Sequence, residues 1–584
     1  MSGRWHRRLG APISLGVLFA VAGSLVSSWP GAGPVVPPAS VDVSIAGRHA
    51  GGAPVQEERT MRLGPSDPDR VVDLQVVLRQ PHRAELEAFL GDVADPTSPE
   101  FHRYLAPEAF GERFGLPDEA IDSVVAWLET AGLQVVGRDA GRTFLAARGR
   151  VADVNALFQI ELVDHRDTEL GRYRVPDAEP RVPAALQDFV RGIAGLDTTP
   201  VIRPMYAPPV FADVPLGGLL PRDGALAYDY APLHDAGITG EGQTVAIVSF
   251  DTFLDSDVAA FDAVAGISAP PVERRPVPED YEPVLGDGSV EVNLDIDVIR
   301  AIAPAAQIID YEADNNSSGF ADVFAAILDD GRADIVSVSW GVCEVDAPPI
   351  SRILIDLELE RAFAQGVSIF ASSGDTGVFS CAHRRDDDDE RVSGVYPSTS
   401  PQAISVGGTF LWVREDGTYL REAAWEEPFG KVATGGGPSG SYERPEWQVA
   451  PGVDTSPGAL RQTPDVAGPA DGESGYVMVH TPVGETEPVR GTASGTSAAA
   501  PFWAASMILV RQLAEQEGVL PLGTLGPTLY ELAAQQSDPL PFHDVALGGN
   551  LRDDAAPGWD AATGLGSPDV TALARAMIEL LRSR

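Results

Sequence analysis

The chain has 584 residues, too many for one hydrophobic core, so the sequence predicts at least two domains. Its formal net charge is −43, from 42 basic and 85 acidic residues, which argues against nucleic acids and anionic membrane surfaces as partners because both repel acidic proteins. Two cysteines are too few for a metal cluster or a disulfide scaffold, and their number leaves open one disulfide or two buried thiols.

Residues 1–30 have the pattern of a secretory signal peptide. Arg4, Arg7 and Arg8 precede an uncharged apolar stretch that runs to about Val26. We therefore expect a secreted, extracellular protein, although the long apolar stretch leaves N-terminal membrane anchoring open. Residues 31–56, rich in Gly, Pro and Ala, are predicted to be a flexible lead-in. No later segment is apolar enough to span a bilayer, so no stable membrane partner is expected.

Residues 57–200 are predicted to form a first domain. The stretch "VVDLQVVLRQ" alternates like a strand, and "PDEAIDSVVAWLETAGL" has the spacing of an amphipathic helix. Strands and helices that alternate in this way indicate a small α+β sandwich. Residues 201–222 are dense in proline, which predicts an extended, exposed linker that a protease could cut.

Residues 223–584 are predicted to form an α/β domain. Apolar strands such as "QTVAIVSF", "ADIVSVSWG" and "VSIFASSGD" alternate with helical segments. This pattern predicts a parallel sheet covered by helices on both faces. In such sheets the working residues follow the carboxyl ends of the strands, here "SFD", "SWG" and "SSGD".

Ser497 in "GTASGTSAAAP" is a candidate nucleophile, because it lies between small residues directly before an apolar helical run. A serine hydroxyl needs a base beside it. None of the nine histidines is followed by glycine, so the His-Gly pair of subtilisin-type proteases is absent. The base must therefore be sought among other residue types.

Carboxylates are the alternative. Glu291 and Asp295 are four residues apart, so on a helix they share a face that continues through apolar positions. On a buried face, two carboxyl groups must share a proton or form hydrogen bonds with a partner. On an exposed face they would be ordinary surface acids. Spacing alone leaves both interpretations open. Asp297 is expected on the solvated side. Asp375 in "SSGDTG" could donate a hydrogen bond to an oxyanion if it stays protonated, or could merely stabilise its own turn.

Taken together, "EVNLDID", "SVSWG", "SSGDTG" and "GTASGTSAAAP" resemble the sedolisins, or serine-carboxyl peptidases, and the resemblance extends from about residue 57 to the end. It implies a subtilisin-like fold preceded by a ferredoxin-like activation prodomain. It also implies that Ser497 is the nucleophile, Glu291 the general base and acid, Asp295 its partner, and Asp375 the oxyanion donor. Protein or peptide substrates are implied, with the prodomain as an intramolecular inhibitor that acidification releases.

The resemblance implies two further features. One is a Ca²⁺ site in the C-terminal segment, one ion per catalytic domain, held by Asp544, Asp560 and the carbonyls of Val545, Ala556 and Gly558. The other is a disulfide between Cys343 and Cys381. Two departures from the family are Ala556, where some members have glycine, and Ser249, where kumamolisin-like members have glutamate. The acidic run at residues 386–390 is interpreted as a solvated loop, with a preference for basic substrates as the alternative.

Three functions remain open at the level of sequence. The first is a secreted acid endopeptidase made as a zymogen. The second is an exopeptidase of the tripeptidyl-peptidase type, since the triad would be the same. The third is a non-catalytic secreted binding protein, which is disfavoured because all four candidate residues are present.

Overall fold

The computed structural model describes most of the chain from residue 40 onward. The predicted signal peptide, nearly all of the lead-in, residues 206–217 of the linker and residues 386–389 of the acidic run lie outside the described residues. The described ranges are 40–42, 60–168, 170–205, 218–382, 390–427, 431–519, 521–535 and 540–584. Within them, no helix has both the length and the apolar character required to cross a lipid bilayer.

The N-terminal unit consists of antiparallel strands and four α-helices. Its strands are β1 (Ser40–Asp42), β2 (Thr60–Pro65), β3 (Val71–Leu78), β4 (Gln134–Arg138), β5 (Phe144–Arg150), β6 (Leu162–Asp167), β7 (Gly171–Pro176), β8 (Arg181–Pro183) and β9 (Val190–Ala194). Its helices are α1 (Arg83–Ala94), α2 (Pro107–Phe114), α3 (Asp118–Thr130), α4 (Val151–Phe158) and a short 3₁₀ turn (Ala184–Leu186).

The main sheet of this unit has the antiparallel order β4-β5-β3-β9. With helices between β3 and β4 and between β5 and β9, this is the order of a ferredoxin-like βαββαβ fold, as predicted. The core lies between the sheet and helices α3 and α4, where Leu74 and Val76 meet Val124, Leu128 and Phe158. A face of alternating apolar residues on β3 and a helical stripe on α3 therefore account for this packing.

The C-terminal unit contains the predicted α/β architecture, preceded by the linker strand β10 (Arg203–Pro204). Its strands are β11 (Thr244–Ser249), β12 (Glu273–Pro276), β13 (Gln307–Glu312), β14 (Ile335–Val338), β15 (Trp340–Cys343), β16 (Ser368–Ser372), β17 (Val395–Tyr396), β18 (Ile404–Val413), β19 (Tyr419–Ala424), β20 (Glu426–Glu427), β21 (Val432–Ala433), β22 (Gly437–Glu443), β23 (Leu460–Thr463), β24 (Val466–Pro469), β25 (Val477–His480), β26 (Val489–Thr492), β27 (Phe542–His543) and β28 (Ser567–Pro568). Its helices are α5 (Pro221–Ala227), α6 (Ala231–Asp235), α7 (Asp255–Ala265), α8 (Ser289–Ile302), α9 (Ser317–Asp330), a 3₁₀ turn (Glu344–Asp346), α10 (Pro349–Gln365), α11 (Thr496–Gln516), α12 (Leu525–Gln535) and α13 (Val570–Arg582).

The central sheet runs in the order β12-β13-β11-β14-β16-β18, all parallel, with β24 parallel to β18 and β19 antiparallel to it. Helix α7 connects β11 to β12 in one direction along the sheet, and α9 and α10 connect β13 to β14 and β14 to β16 in the other. Because parallel crossovers are right-handed, α7 lies on one face of the sheet and α9 and α10 on the other. Helix α8 contacts α7 and so lies on the first face, which makes the β12-α8-β13 crossover an exception to the right-handed rule. Helix α11 packs against α8 on the first face.

The N-terminal unit docks on α9 and α10. Apolar residues of α1 and α2, including Phe89 and Phe110, pack against Phe363 of α10. Polar contacts surround this patch, among them an Arg83 to Glu360 hydrogen bond of 2.6 Å. The docking surface thus lies on the opposite side of the sheet from α8, and the described part of the linker leads on towards the carboxyl ends of the strands.

Candidate active site

The linker enters the site as an added strand. Residues Arg203 and Pro204 pair antiparallel with Gly341 and Trp340 of β15. The pairing continues one residue further, where the Met205 N–H donates to the carbonyl oxygen of Ser339 at 2.9 Å. Strand addition of this kind is how extended peptides bind to an open sheet edge.

Ser497 lies at the start of α11 and is fully buried. The preceding Gly495 has a φ of 90°, a conformation that glycine adopts freely and that turns the chain into the helix. The Ser497 N–H donates to the carbonyl oxygen of Met205 at 3.0 Å, and its hydroxyl Oγ donates to the same oxygen. The N-terminus of α11 therefore faces a peptide carbonyl of the linker and donates the Ser497 N–H to it.

Helix α8 carries Glu291 and Asp295 side by side, and both are fully buried. Of the two readings that spacing left open, the buried face is correct. Asp295 Oδ1 accepts a hydrogen bond of 2.6 Å from the hydroxyl of Ser339, whereas Oδ2 and both oxygens of Glu291 have no hydrogen-bond partner of ordinary geometry in the described part of the chain.

Burial dominates the electrostatics of this pair. It raises the pKa of Glu291 well above its usual range, the charge of Asp295 raises it further, and the nearby hydroxyl of Ser497 acts in the opposite direction. Burial also raises the pKa of Asp295, against the effect of the Ser339 hydroxyl. Because two adjacent carboxyl groups resist carrying two negative charges in a dry site, the pair titrates as one unit that holds a proton.

The prediction that Asp297 is solvated is wrong. Its side chain is fully buried, and Oδ2 accepts a hydrogen bond of 2.8 Å from the backbone N–H of Val479 in β25. The next residue of that strand, His480, packs beside Asn293 of α8. Strand β25 covers the face of α8 that points away from the central sheet. The spacing of residues along α8 cannot predict this, because it does not say which other element packs on that face.

Asp375 follows the end of β16, as the parallel-sheet pattern predicted for a working residue. Oδ1 accepts hydrogen bonds from the Thr496 N–H at 2.8 Å and the Thr496 hydroxyl at 2.9 Å, while Oδ2 is buried and has no hydrogen-bond partner among the described residues. Burial raises the pKa of Asp375 to about 7, although both contacts with Thr496 lower it. The carboxyl group therefore contacts the residue directly before Ser497 instead of only its own turn.

The two cysteines form a disulfide between Cys343 and Cys381. It joins the end of β15 to the segment that follows Asp375, so it links two loops beside the site. Asp346 lies near the two sulfur atoms. A disulfide has no thiolate to offer a metal ion, so this group is not a metal site.

The C-terminal segment brings together the residues of the predicted calcium site. The Gly558 N–H donates to both carboxyl oxygens of Asp544 at 3.1 Å, and the Ala556 N–H donates to Asp560 Oδ2 at 3.0 Å. Asp560 Oδ1 also accepts backbone hydrogen bonds from residues 562 and 563 at 2.8 Å each, and burial raises the pKa of this carboxyl group. The hydrogen bonds seen here join these carboxylates to backbone N–H groups. Carboxylate and carbonyl oxygens are the ligands that Ca²⁺ prefers, so the residue types present fit that ion and the ligand set stays a prediction.

Two residues at the site were missed in the sequence. Ser339 lies within the quoted motif "SVSWG", but its hydroxyl contact with Asp295 depends on how the residue between β14 and β15 meets α8 in the folded chain. Met205 lies in the proline-rich linker, where no periodicity marks a residue that will contact a nucleophile. Only the position of Ser339 after a parallel strand could have identified it in advance.

Comparison with known proteins gives matches along most of the chain. Residues 58–199 match the family described as pro-kumamolisin, activation domain, and residues 285–527 match the subtilase family. Kumamolisin from Bacillus sp. (strain MN-32) is 33% identical over 568 residues, covering 91% of this chain and 96% of that protein. Tripeptidyl-peptidase 1 from Homo sapiens is 25% identical over 553 residues, covering 88% of this chain and 93% of that protein.

A solved structure, described as Pseudomonas sedolisin (serine-carboxyl proteinase) complexed with two molecules of pseudo-iodotyrostatin, superposes with a TM-score of 0.55 at 28% sequence identity. It covers 64% of this chain and 100% of the other chain. The curated sedolisin from Pseudomonas sp. (strain 101) is likewise 28% identical, over 519 residues that cover 85% of this chain and 86% of that protein.

Proposed function

This chain belongs to the sedolisin family of serine-carboxyl peptidases and carries the family's activation domain, and from this we propose that it is a secreted, acid-acting endopeptidase that cuts its own linker. In this proposal Ser497 is the nucleophile and Glu291 is the general base and acid. Asp295 shares the charge of Glu291, and Asp375 donates a hydrogen bond to the oxyanion.

The position of Met205 is the observation that supports this proposal best. Its carbonyl oxygen accepts hydrogen bonds from the N–H and the hydroxyl of Ser497, and its own N–H is held by Ser339. A carbonyl that receives the N–H of the nucleophile lies where a scissile carbonyl must lie for oxyanion stabilisation. The peptide bond that follows Met205 is therefore the bond that we expect to be cut.

The chemistry follows from these positions. Ser497 Oγ attacks the carbonyl carbon of Met205 while its proton passes to the unpartnered carboxyl of Glu291. The negative charge that develops on the carbonyl oxygen is stabilised by the Ser497 N–H and by a proton on Oδ2 of Asp375. The C–N bond breaks as Glu291 returns the proton to the leaving amine. Water then attacks the acyl-enzyme, with Glu291 taking a proton from the water and returning it to Ser497 Oγ as the ester C–O bond breaks.

Acid operation follows from two requirements on protonation. Asp375 can donate only below its pKa of about 7. The Glu291 and Asp295 pair must carry one negative charge to accept the serine proton, which a carboxyl group can do at a lower pH than a histidine. Because burial raises the pKa of both carboxyl groups, this requirement sets the acid limb of activity, and the protonation of Asp375 sets the alkaline limb.

The endopeptidase reading is supported by the length of chain that the cleft holds. The bound segment continues on the N-terminal side of Met205 through Pro204 and Arg203 to Ile202, whose carbonyl oxygen accepts a hydrogen bond of 2.9 Å from Asn315. Beyond Ile202 the segment continues without a break into the N-terminal unit. A tripeptidyl peptidase would need a wall three residues before the cut bond, and here the fourth residue is bound and covalently extended. The non-catalytic alternative leaves the contact between Ser497 and the linker carbonyl unexplained.

Three further parts of the proposal concern the whole chain. Residues 57–200 form the prodomain, 201–222 the cleavable linker and 223–584 the peptidase domain. Residues 1–30 direct export, and a disulfide between Cys343 and Cys381 suits an oxidising compartment. Asp544, Asp560 and the carbonyls of Val545, Ala556 and Gly558 bind one Ca²⁺, which would neutralise the two carboxylates and stabilise the loop that carries them.

The test is self-processing of the pure full-length protein. At pH 4–5 the wild type should yield a product whose mass and N-terminal sequence place the cut after Met205, while Ser497→Ala remains intact because the same hydroxyl cuts the linker. Intact-mass spectrometry of both proteins, purified under conditions that exclude other proteases, distinguishes the outcomes. Normal maturation of Ser497→Ala would show that Ser497 is not the nucleophile for this cut.

A further inference from the structure

We propose that Val395 forms the base of the pocket that receives the side chain before the cut bond, the S1 pocket, and thereby selects uncharged apolar side chains of about the size of methionine. This inference rests on the function proposed above, because it takes Met205 as the bound residue whose carbonyl is attacked. It adds a substrate class, and a residue that determines it.

Met205 marks the S1 position through its backbone. Its N–H binds the Ser339 carbonyl at 2.9 Å and its carbonyl oxygen accepts the Ser497 N–H at 3.0 Å, so both ends of the residue are held at the site. The direction of its side chain is then set by the strand pairing with β15. The side chain reaches Gly341, two residues along β15 from Ser339.

Gly341 forms one wall of this pocket. A Cβ atom placed on Gly341 would lie 3.5 Å from the terminal Cε of Met205 and only 2.4 Å from Cγ1 of Val395. The end of the methionine side chain and the valine methyl group therefore meet beside the bare backbone of this glycine. Any larger residue at position 341 would occupy the space between them.

Gly374 forms a second wall. It precedes Asp375, has a φ of +106° and donates its N–H to Thr496 Oγ1 at 3.0 Å. A Cβ atom on Gly374 would lie 2.6 Å from Cγ2 of Val395. The two methyl groups of Val395 thus fill the space between two glycine backbones, one in β15 and one two residues after the end of β16.

Val395 is held rigidly in this position. It is 1% exposed and lies in β17, which pairs with β15 so that Val395 faces Cys343. Its carbonyl oxygen accepts hydrogen bonds from the Ser398 hydroxyl at 2.8 Å and the Thr399 N–H at 3.0 Å. A fixed base limits the depth of the pocket, because a well-packed valine cannot move aside without strain.

The lining determines the class of side chain that fits. Among the described residues, the lining consists of two glycine backbones, two valine methyl groups and the hydroxyl of Ser380, none of which carries a charge, so a charged side chain would lose its water without compensation. The terminal Cε of Met205 and Cγ1 of Val395 both lie beside Gly341, and a tryptophan needs more depth than a methionine. The pocket therefore favours methionine and side chains of similar length over charged or bulkier ones.

The experiment measures kcat/KM on peptides derived from residues 201–208, Val-Ile-Arg-Pro-X-Tyr-Ala-Pro, with X as Met, Ala, Trp or Lys. The enzyme is the full chain after self-processing at acid pH. The wild type should prefer Met to both Trp and Lys. Val395→Ala should raise the ratio of Trp to Met by about tenfold or more, since removing methyl groups from a hydrophobic pocket changes discrimination by about that factor.

Val392→Ala is the matched control, because Val392 is 45% exposed and three residues away. It should keep the wild-type ratio. Val395→Leu provides a second variant: it fills the pocket and should shift preference from Met to Ala at X, so a failure of one variant to fold leaves the other to decide. Unchanged ratios in an active Val395 variant would overturn this inference alone. Cleavage that persists in Ser497→Ala would instead overturn the proposed function.

Discussion

Replacing Asp375 with asparagine tests whether the oxyanion donor must be a protonated acid, because an amide donates a hydrogen bond without titrating. Oδ1 of Asp375 already accepts two hydrogen bonds from Thr496, so the proton of the neutral acid belongs on the unpartnered Oδ2. In Asp375→Asn the carbonyl oxygen keeps the contacts with Thr496 and the amide N–H₂ replaces the Oδ2 hydroxyl. The variant therefore preserves the donor while removing its ionisation.

The magnitude follows from the pKa. At pH 5 a carboxyl group with a pKa of about 7 is protonated in about 99% of molecules, whereas one at the ordinary value of 3.8 would be protonated in about 6%. The wild-type kcat/KM should hence fall on the alkaline side with a midpoint near 7. Loss of one oxyanion donor costs about 10²–10³ in rate, so Asp375→Ala should lose that factor at every pH.

The assay is kcat/KM for a quenched fluorescent peptide from pH 3 to 9, with each variant matured in trans by a trace of wild type that is then removed. Using matured enzyme prevents prodomain release from setting the profile, and circular dichroism across the same range controls for unfolding. Asp375→Asn should retain part of the activity and shift its alkaline limb upward. An alkaline limb that overlays the wild type in a folded Asp375→Asn would refute the acid-donor role.

Three other predictions concern the general base, the predicted calcium site and the contact between the two units. Glu291→Gln should lower kcat by about 10²–10⁴ at all pH values, because the amide cannot accept the serine proton. The melting temperature should not fall, because the variant no longer buries an acid. A near-normal kcat would contradict the base role. Asp544→Ala, or a calcium chelator on the wild type, should lower the melting temperature by several degrees, and an unchanged melting temperature after metal removal would exclude the site. The third prediction concerns Asp322, which accepts a hydrogen bond from Gln75 of the N-terminal unit and has a pKa that burial raises to about 7. Its contribution to stability is therefore present below its ordinary pKa and is lost as the pH rises through 7. The test uses the uncut Ser497→Ala protein as the parent. Asp322→Asn should therefore lose less melting temperature between pH 5 and 8 than its parent, and an equal loss in both proteins would show that Asp322 does not titrate in this range.

The last prediction bears on how the prodomain leaves. The resemblance implied that acid releases it by protonating contacts between the two units. Yet buried carboxyl groups at the interface, Asp322 with a pKa of about 7 and Glu358 with a pKa of about 8, both raised by burial, already bind protons in the docked state. Falling pH strengthens docking through these two groups. Asp280, whose pKa is lowered by Arg148 of the N-terminal unit, is a contact that acid weakens, and it is exposed. Cutting the linker is thus a more direct route to release than acidification alone.

Much of this molecule could be predicted from local sequence. Apolar strands that alternate with helices predicted the parallel sheet, and a spacing of four residues predicted that Glu291 and Asp295 share one face of a helix. These predictions succeed because the periods of helix and strand depend on backbone geometry, which a short stretch of sequence determines. The order of the motifs also sufficed to identify the family.

Other features depended on contacts between distant parts of the chain. Asp297 is buried because β25 covers α8, and the pKa of Asp375 is near 7 because the surrounding chain excludes water from it. Met205 meets Ser497 only because the N-terminal unit docks on α9 and α10 and leads the linker to β15. Burial and proximity are properties of the packed chain, since each requires surfaces that lie hundreds of residues apart in sequence, and for that reason only the tertiary structure decided them.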